Sequence, residues 1–281
     1  MKDEIEPMNI TYADNGWTVF VNEDLRTLTD EQAKQVGKLS VSNMVVVFKN
    51  QSLSTDDQER FCKIIGKCQY YPAEAERVKH IRLTDHILRV TGQRDKDGEE
   101  GLFGHKAALD WHANQPSNKE RSPLIWLYGA EGTKGSRTSW INNIASYEAL
   151  SDEMKSKIAD IKVYCGYEQG KYSHSTFFHD HVNRENPIDL VHTNKEGKTG
   201  MFFPFLQIFG FEGYEQEEFE SIMQELTDHV LKDEFAYHHD WEDGDIVLSE
   251  QWLSIHKRWD FDGMDNRVLH RIAFDYSNLY G

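Results

Sequence analysis

Two stretches decide how this chain folds: Leu109-Asp110-Trp111-His112-Ala113-Asn114 and Ile246-Val247-Leu248-Ser249-Glu250-Gln251-Trp252-Leu253-Ser254-Ile255-His256. Both read as β-strands, in which residues two apart share a face. His112 and Asn114 therefore point the same way. In the second stretch the alternation puts Ile246, Leu248, Glu250, Trp252, Ser254 and His256 on one face, with His256 at the end where a turn begins. Two imidazoles from separate strands, joined by a short oxygen-bearing side chain, build one face of a metal site. Such a face leaves neighbouring positions open, as a redox-active Fe(II) centre needs for a bidentate co-substrate and O₂. A His-x-Asn pair alone is a weak signal, because a single histidine is more often a hydrogen-bonded structural residue.

Outward from these stretches, short apolar runs rich in β-branched or aromatic residues predict strands at 17–21, 44–48, 87–91 and 124–129. A helix is predicted from Thr29, where Thr29 and Gln32 stand three apart as a capping box. Another opens at Ser54 and carries Phe61, Ile64 and Ile65 at helical spacing. Two more are predicted over 147–161 and from about 215 to 231, on apolar steps of three and four. Residues 92–101 read as a solvated loop and 132–138 as a turn-rich connection. There is no alternation of strand and helix, no GxGxxG and no phosphate loop, so nucleotide chemistry has no support. The pattern predicts a mainly β fold (α+β), an antiparallel β-core decorated by helices, as one domain over 1–281. Residues 66–107 and 166–200 are predicted as loops or lids over the site.

Composition sets the outer bounds. With 281 residues, 38% of them hydrophobic, the chain can bury a full core. Its 48 acidic and 31 basic residues give a formal charge of −17 with no basic block, which argues against nucleic acid as a partner. No apolar run reaches the roughly 18 residues of a membrane span, and no signal peptide is visible at the amino terminus. Cys62, Cys68 and Cys165 are odd in number and form no CxxC pair, a usage that fits reduced, buried thiols in a cytoplasmic protein. A small-molecule substrate is expected, and self-association is left open.

Further motifs stand in order along the chain. Gly132-Thr133-Lys134-Gly135-Ser136-Arg137-Thr138-Ser139-Trp140 and Ser146-Tyr147-Glu148-Ala149-Leu150 follow the first histidine. The hairpin Leu190-Val191-His192-Thr193-Asn194-Lys195-Glu196-Gly197-Lys198 comes next, then Gly244-Asp245-Ile246-Val247 through His256 to Asn266-Arg267-Val268-Leu269-His270-Arg271. Over roughly residues 85–276 this ordered set resembles the taurine dioxygenase-like (TauD/TfdA) family. The resemblance implies a double-stranded β-helix, or jelly roll, and an Fe(II)- and 2-oxoglutarate-dependent oxygenase. It also implies His112 and His256 as iron ligands, and Arg267, assisted by Thr138, as the partner of the distal carboxylate of 2-oxoglutarate. A guanidinium suits that task, being planar, bidentate toward carboxylate and charged when partly buried. Arg271, four residues on and on the same strand face, meets a substrate anion or pairs with an acid.

The third position departs from the family, whose first motif reads HxD or HxE. A neutral amide oxygen at Asn114 binds a metal more weakly and leaves iron one unit more positive. Three readings stay open: ligation by the amide oxygen, a vacancy for water or halide as in halogenating relatives, or a catalytically weak chain. Asp110, which precedes His112, Glu250, which shares the strand face of His256 but lies six residues before it, and the pair His179-Asp180-His181 are lesser candidates for the metal. Trp111, Trp252, Phe103 and the run Phe202-Phe203-Pro204-Phe205 either wall the site or belong to the core. The expected activity is hydroxylation of an unactivated C–H bond with release of succinate and CO₂. The alternatives are a halogenase and a non-catalytic binding protein on the same fold.

Overall fold

The computed structural model describes residues 7–74, 79, 81–94, 98, 109–166, 185–263 and 265–280. The first part of the chain holds β1 (Ile10–Tyr12), β2 (Thr18–Val21), α1 (Asp30–Asn43), β3 (Val45–Phe48), α2 (Thr55–Ile65) and β4 (Leu88–Thr91). The middle holds β5 (Leu109–His112), β6 (Leu124–Glu131), β7 (Arg137–Asn142), α3 (Asn143–Glu148), α4 (Asp152–Ile158), β8 (Lys162–Cys165), β9 (Ile188–Asp189), β10 (Val191–Thr193) and β11 (Thr199–Met201). The last part holds β12 (Ile208–Phe211), α5 (Gln216–Val230), β13 (Ala236–Asp240), β14 (Ile246–Glu250), β15 (Ser254–Arg258) and β16 (Val268–Phe274).

Seven strands make a major sheet in the order β1-β2-β3-β14-β6-β16-β4, and four make a minor sheet, β13-β7-β15-β5. Only β2 and β3 run parallel within these two sheets. The architecture is a double-stranded β-helix. Its central strands read as unbroken apolar runs because both faces of the major sheet are covered. On the inner face, Val45, Val47, Ile125, Leu127, Val247 and Leu269 pack in one cluster with Trp140 of the minor sheet. On the outer face, Val46, Phe48, Trp126, Leu248 and Ile272 meet Ala33, Val36 and Val41 of α1 and Phe61, Cys62 and Ile65 of α2. Each large side chain buried this way contributes about 1.5–3 kcal/mol.

The minor sheet repeats the logic with period two. Trp111, Ile141 and Ile255 turn outward to join Ile222, Leu226 and Val230 of α5 and Met154 and Ile158 of α4. Their neighbours His112, Trp140 and His256 are thereby sent inward. Both early helices start as the sequence predicts: Thr29 and Gln32 form a reciprocal capping box, and Ser54 does the same with Asp57.

Two expectations need correction. The helix predicted over 147–161 is two helices, because Ser151 accepts from the Met154 amide and starts α4 anew after α3 has ended. The stretch 246–256 is two strands in two different sheets. The Glu250 carboxylate accepts from the amides of Trp252 (2.9 Å) and Leu253 (2.8 Å), folding the backbone into a corner where a strand would otherwise continue. Part of the predicted loop 166–200 is ordered as β9, β10 and β11. Within the predicted loop 66–107, residues 75–78, 80, 95–97 and 99–107, Phe103 among them, lie outside the described residues, as do His179, Asp180 and His181. The three cysteines are free and buried. Among the described residues no helix is long and apolar enough to cross a membrane.

Candidate active site

Antiparallel pairing of β5 and β15 sets His256 directly opposite His112. Their ring centroids lie 4.1 Å apart with the planes at 49°. His112 is buried, while His256 keeps part of its surface toward a cavity. Nδ1 of His112 donates to the Asp110 carbonyl oxygen at 2.7 Å, which leaves Nε2 as the lone-pair nitrogen. Burial pushes His112 down to about 4, with Arg258 adding to the effect and the Asp110 contact opposing it. Burial, then His112 and Arg271, hold His256 well below the ordinary imidazole range. Both rings are therefore neutral at pH 7, the form that binds metals.

Asn114 sits two residues beyond the end of β5, so strand alternation does not place it. Two buried glutamines do. Gln207 Oε1 accepts from the Ala113 amide at 2.8 Å, and Gln251 Oε1 accepts from the Asn114 amide at 3.2 Å. Gln115 then takes φ 53° and turns the chain away.

The cavity, about 50 Å³, is lined by His112, Asn114, His256, Thr138, Arg258, Arg267 and Arg271, with aliphatic residues between them. It brings together every site residue expected from the sequence. Such a volume holds a few water molecules. Arg267, 1% exposed, donates from Nε to Ser136 Oγ at 3.0 Å. Thr138 Oγ1 accepts from Trp241 Nε1 at 2.9 Å. Arg271 Nη1 donates to the Tyr71 hydroxyl at 3.2 Å. Burial, reinforced by Arg258, lowers Arg267 to about 9; burial lowers Arg258 to about 10 against the pull of Asp260. Both stay protonated at neutral pH. Among the described lining residues there are three guanidiniums and no carboxylate, so the wall favours anions.

The lesser candidates that lie among the described residues fall elsewhere. Asp110 is half exposed and pairs with Lys257 Nζ at 3.0 Å, so it is spent on the outer surface. Glu250 stands in the major sheet at the corner described above, and burial pushes its carboxyl up to about 7. Trp111, Phe202 and Phe203 belong to the core under α5, and Trp252 packs against it. Arg258 escaped the sequence reading although it lies two residues past His256, where alternation puts it on the same face. Tyr71 and Ser136 carried no local signal.

Gly132 is what lets Arg267 sit where it does. It holds φ 60°, and a Cβ there would lie 2.5 Å from the carbonyl oxygen of Asn266, the residue before Arg267. Gly132→Ala is expected to cost about 1–3 kcal/mol of unfolding free energy through this clash and the left-handed backbone. Urea denaturation monitored by tryptophan fluorescence measures it; an unchanged midpoint would show that the loop yields freely.

The fold and cavity together are those of a double-stranded β-helix with two facing histidines on an arginine-lined wall. The chain belongs to the taurine catabolism dioxygenase TauD, TfdA family, whose model matches residues 8–273. It is 23% identical over 288 aligned residues to the (S)-phenoxypropionate/alpha-ketoglutarate-dioxygenase of Sphingobium herbicidovorans, with 97% of this chain and 95% of that protein covered. It is 21% identical over 267 residues to pentalenolactone F synthase of Streptomyces avermitilis, covering 88% and 86%. Among solved structures, AAD-2 in complex with Mn(II) and N-oxalylglycine superposes with a TM-score of 0.77 at 20% identity, covering 98% of this chain and 99% of that one. A taurine dioxygenase from Burkholderia xenovorans gives a TM-score of 0.75 at 16% identity, covering 95% and 89%. Family and relatives indicate Fe(II)/2-oxoglutarate-dependent dioxygenase activity.

Proposed function

We propose that this chain hydroxylates an unactivated C–H bond of a small anionic molecule, using Fe(II) and 2-oxoglutarate. The observation that carries the reading is the pair of neutral, facing imidazoles on a cavity lined by three guanidiniums. The donor set fits a divalent transition metal: two imidazole nitrogens, one amide oxygen at Asn114, and a cavity beside them with room for a few water-sized ligand atoms. His112 and His256 would hold the iron, with Asn114 completing the face. Bound there, iron supplies the coupling of O₂ reduction to decarboxylation of 2-oxoglutarate, giving succinate, CO₂ and an oxygen atom delivered to the substrate.

The chain's own residues do the positioning. Arg267 offers its fork to the distal carboxylate of 2-oxoglutarate, with Nε anchored on Ser136 and the Thr138 hydroxyl beside it on the cavity wall. Arg271, steadied by Tyr71, presents a cation to an acidic group of the substrate. The aliphatic residues between the guanidiniums exclude water from the reacting carbon. The formal charge of −17 argues against nucleic acid as a partner.

Ferrous ion added anaerobically with 2-oxoglutarate is expected to give a visible charge-transfer absorption, followed on aeration by succinate. His256→Ala is expected to remove both. Protein that folds, takes up iron and yet shows neither absorption nor succinate would be a binding protein on this scaffold. A second reading is favoured by the neutral Asn114 in a cationic cavity: a halide as an iron ligand, with chlorinated product. Product analysis with and without chloride separates the two.

A further inference from the structure

Cross-strand register lines up four aromatic side chains in one row of the minor sheet. His112 pairs with His256, His256 with Trp140, and Trp140 with Tyr237, across β5, β15, β7 and β13. The rings follow one another closely. Trp140 stacks on His256 at 6.5 Å and 23°, and on Tyr237 at 6.4 Å and 30°. Beyond Tyr237 stands Trp17, edge-on at 6.4 Å. Core packing alone would account for a row of apolar rings, but the polar atoms of this row are unevenly provided for. The indole N–H of Trp140, 1% exposed, has no hydrogen-bond partner among the described residues. The Tyr237 hydroxyl does have one: it lies 2.9 Å from His239 Nδ1.

His239 is in turn backed by charge. Its Nε2 faces Asp245 Oδ2 at 3.2 Å, too oblique for a full hydrogen bond, and Asp245 also pairs with Lys49, which reaches solvent. With Nε2–H toward the carboxylate, Nδ1 carries the lone pair and accepts the phenolic proton. Burial keeps the His239 ring neutral and opposes simple ionisation of Tyr237. The buried carboxylate stabilises the imidazolium that forms when Nδ1 takes up a proton.

We propose that Trp140 and Tyr237 form a hole-transfer relay that drains oxidising equivalents from the two-histidine centre to the far edge of the minor sheet. The origin of the oxidant rests on the oxygenase reading above: a strong oxidant generated at the centre when no substrate C–H bond is in reach. One electron leaves Trp140 and reduces that oxidant by one unit. With no hydrogen-bond partner among the described residues to take its proton, the indole stays a radical cation and takes an electron from Tyr237. As that electron leaves, the Tyr237 O–H bond breaks and its proton moves to His239 Nδ1. The products are a neutral tyrosyl radical and an imidazolium beside Asp245. A thiol or ascorbate then returns the electron, and His239 returns the proton. The relay would protect His112 and His256 from oxidation.

The test needs no iron. Because Cys62, Cys68 and Cys165 are all buried, a ruthenium photosensitiser attaches selectively to an Asp110→Cys variant, beside His112 on the outer surface. Flash-quench oxidation of this metal-free protein is expected to give the sharp absorption and EPR signal of a tyrosyl radical. Tyr237→Phe, which keeps the ring, is expected to abolish the signal, and Trp140→Phe to delay and weaken it. A signal surviving in Tyr237→Phe belongs to one of the other eleven of twelve tyrosines and overturns the relay, as does an undiminished signal in Trp140→Phe. Absence of any tyrosyl radical in the labelled parent, with the photosensitiser shown to be oxidised, overturns it too. Succinate formation by iron-loaded protein is scored separately, so failure of the oxygenase reading is distinguishable from failure of the relay.

Discussion

Replacing Arg267 by leucine is expected to weaken 2-oxoglutarate binding by roughly 100-fold or more, while ferrous ion still binds. Two charge-assisted hydrogen bonds from one guanidinium to a carboxylate are each worth about 1.5–3 kcal/mol, and every 1.4 kcal/mol is tenfold in affinity. Arg267 meets the geometric requirement because it is anchored twice over: its Nε donates to Ser136 at 3.0 Å, and the chain before it packs against Gly132. It is also almost wholly buried, so its charge is poorly screened and its field acts inside the cavity. Arg267→Lys separates charge from shape. It keeps the cation but offers no planar fork and cannot reproduce the Ser136 contact from Nε, so an intermediate loss of affinity is expected. Anaerobic titration of the iron-loaded protein with 2-oxoglutarate gives the constants, and iron uptake by the same variants controls for folding. Leucine and wild-type proteins binding the co-substrate equally would move the carboxylate partner to Arg258 or Arg271, the other two guanidiniums of the cavity.

The sequence was most legible where one periodicity governs one element. The strands around Val45–Phe48 and Leu124–Glu131 and the capped starts of α1 and α2 followed from local residues alone. Alternation also sent His112 and His256 inward, because Trp111 and Ile255 have an apolar layer to meet on the other face. It failed at Gln251–Leu253, where side-chain oxygens of Glu250 take over two backbone amides and alternation has no way to register that substitution. Had the strand run on, Glu250 would have shared a face with His256; the corner puts the two residues in different sheets. The supports of the cavity were equally silent. Tyr71 is 200 residues from Arg271 and Ser136 is 131 from Arg267, and pairs so distant leave no periodic trace. Arg258 was readable in principle, since it follows His256 by two.

Restoring a carboxylate by Asn114→Asp is expected to tighten Fe(II) binding about 10- to 100-fold. The argument starts from charge. The described wall of the cavity has two neutral imidazoles, three guanidiniums and no acid, and a dication entering it meets repulsion that only anionic ligands can offset. An anionic oxygen in place of a neutral amide oxygen supplies that charge at the metal itself; even for hydrogen bonds a charged partner is worth about 1.5–3 kcal/mol against about 0.5–1.5 for a neutral one, and a metal dication feels the charge more strongly. The backbone is already suitable, because the Ala113 and Asn114 amides are held by Gln207 and Gln251 whatever the side chain. Metal-free protein offers a second readout. Beside three guanidiniums the introduced carboxyl group is held below its unfolded value of about 3.9. Its contribution to stability is therefore present above that pH and lost as pH falls through the depressed value. The variant should melt higher than the parent at pH 7 and converge with it in acid. Chelator competition measures the iron constant. A variant that binds iron no better than the parent would mean that residue 114 does not face the metal. A variant that binds iron better but no longer depends on chloride for product would assign the amide position to a halide in the parent.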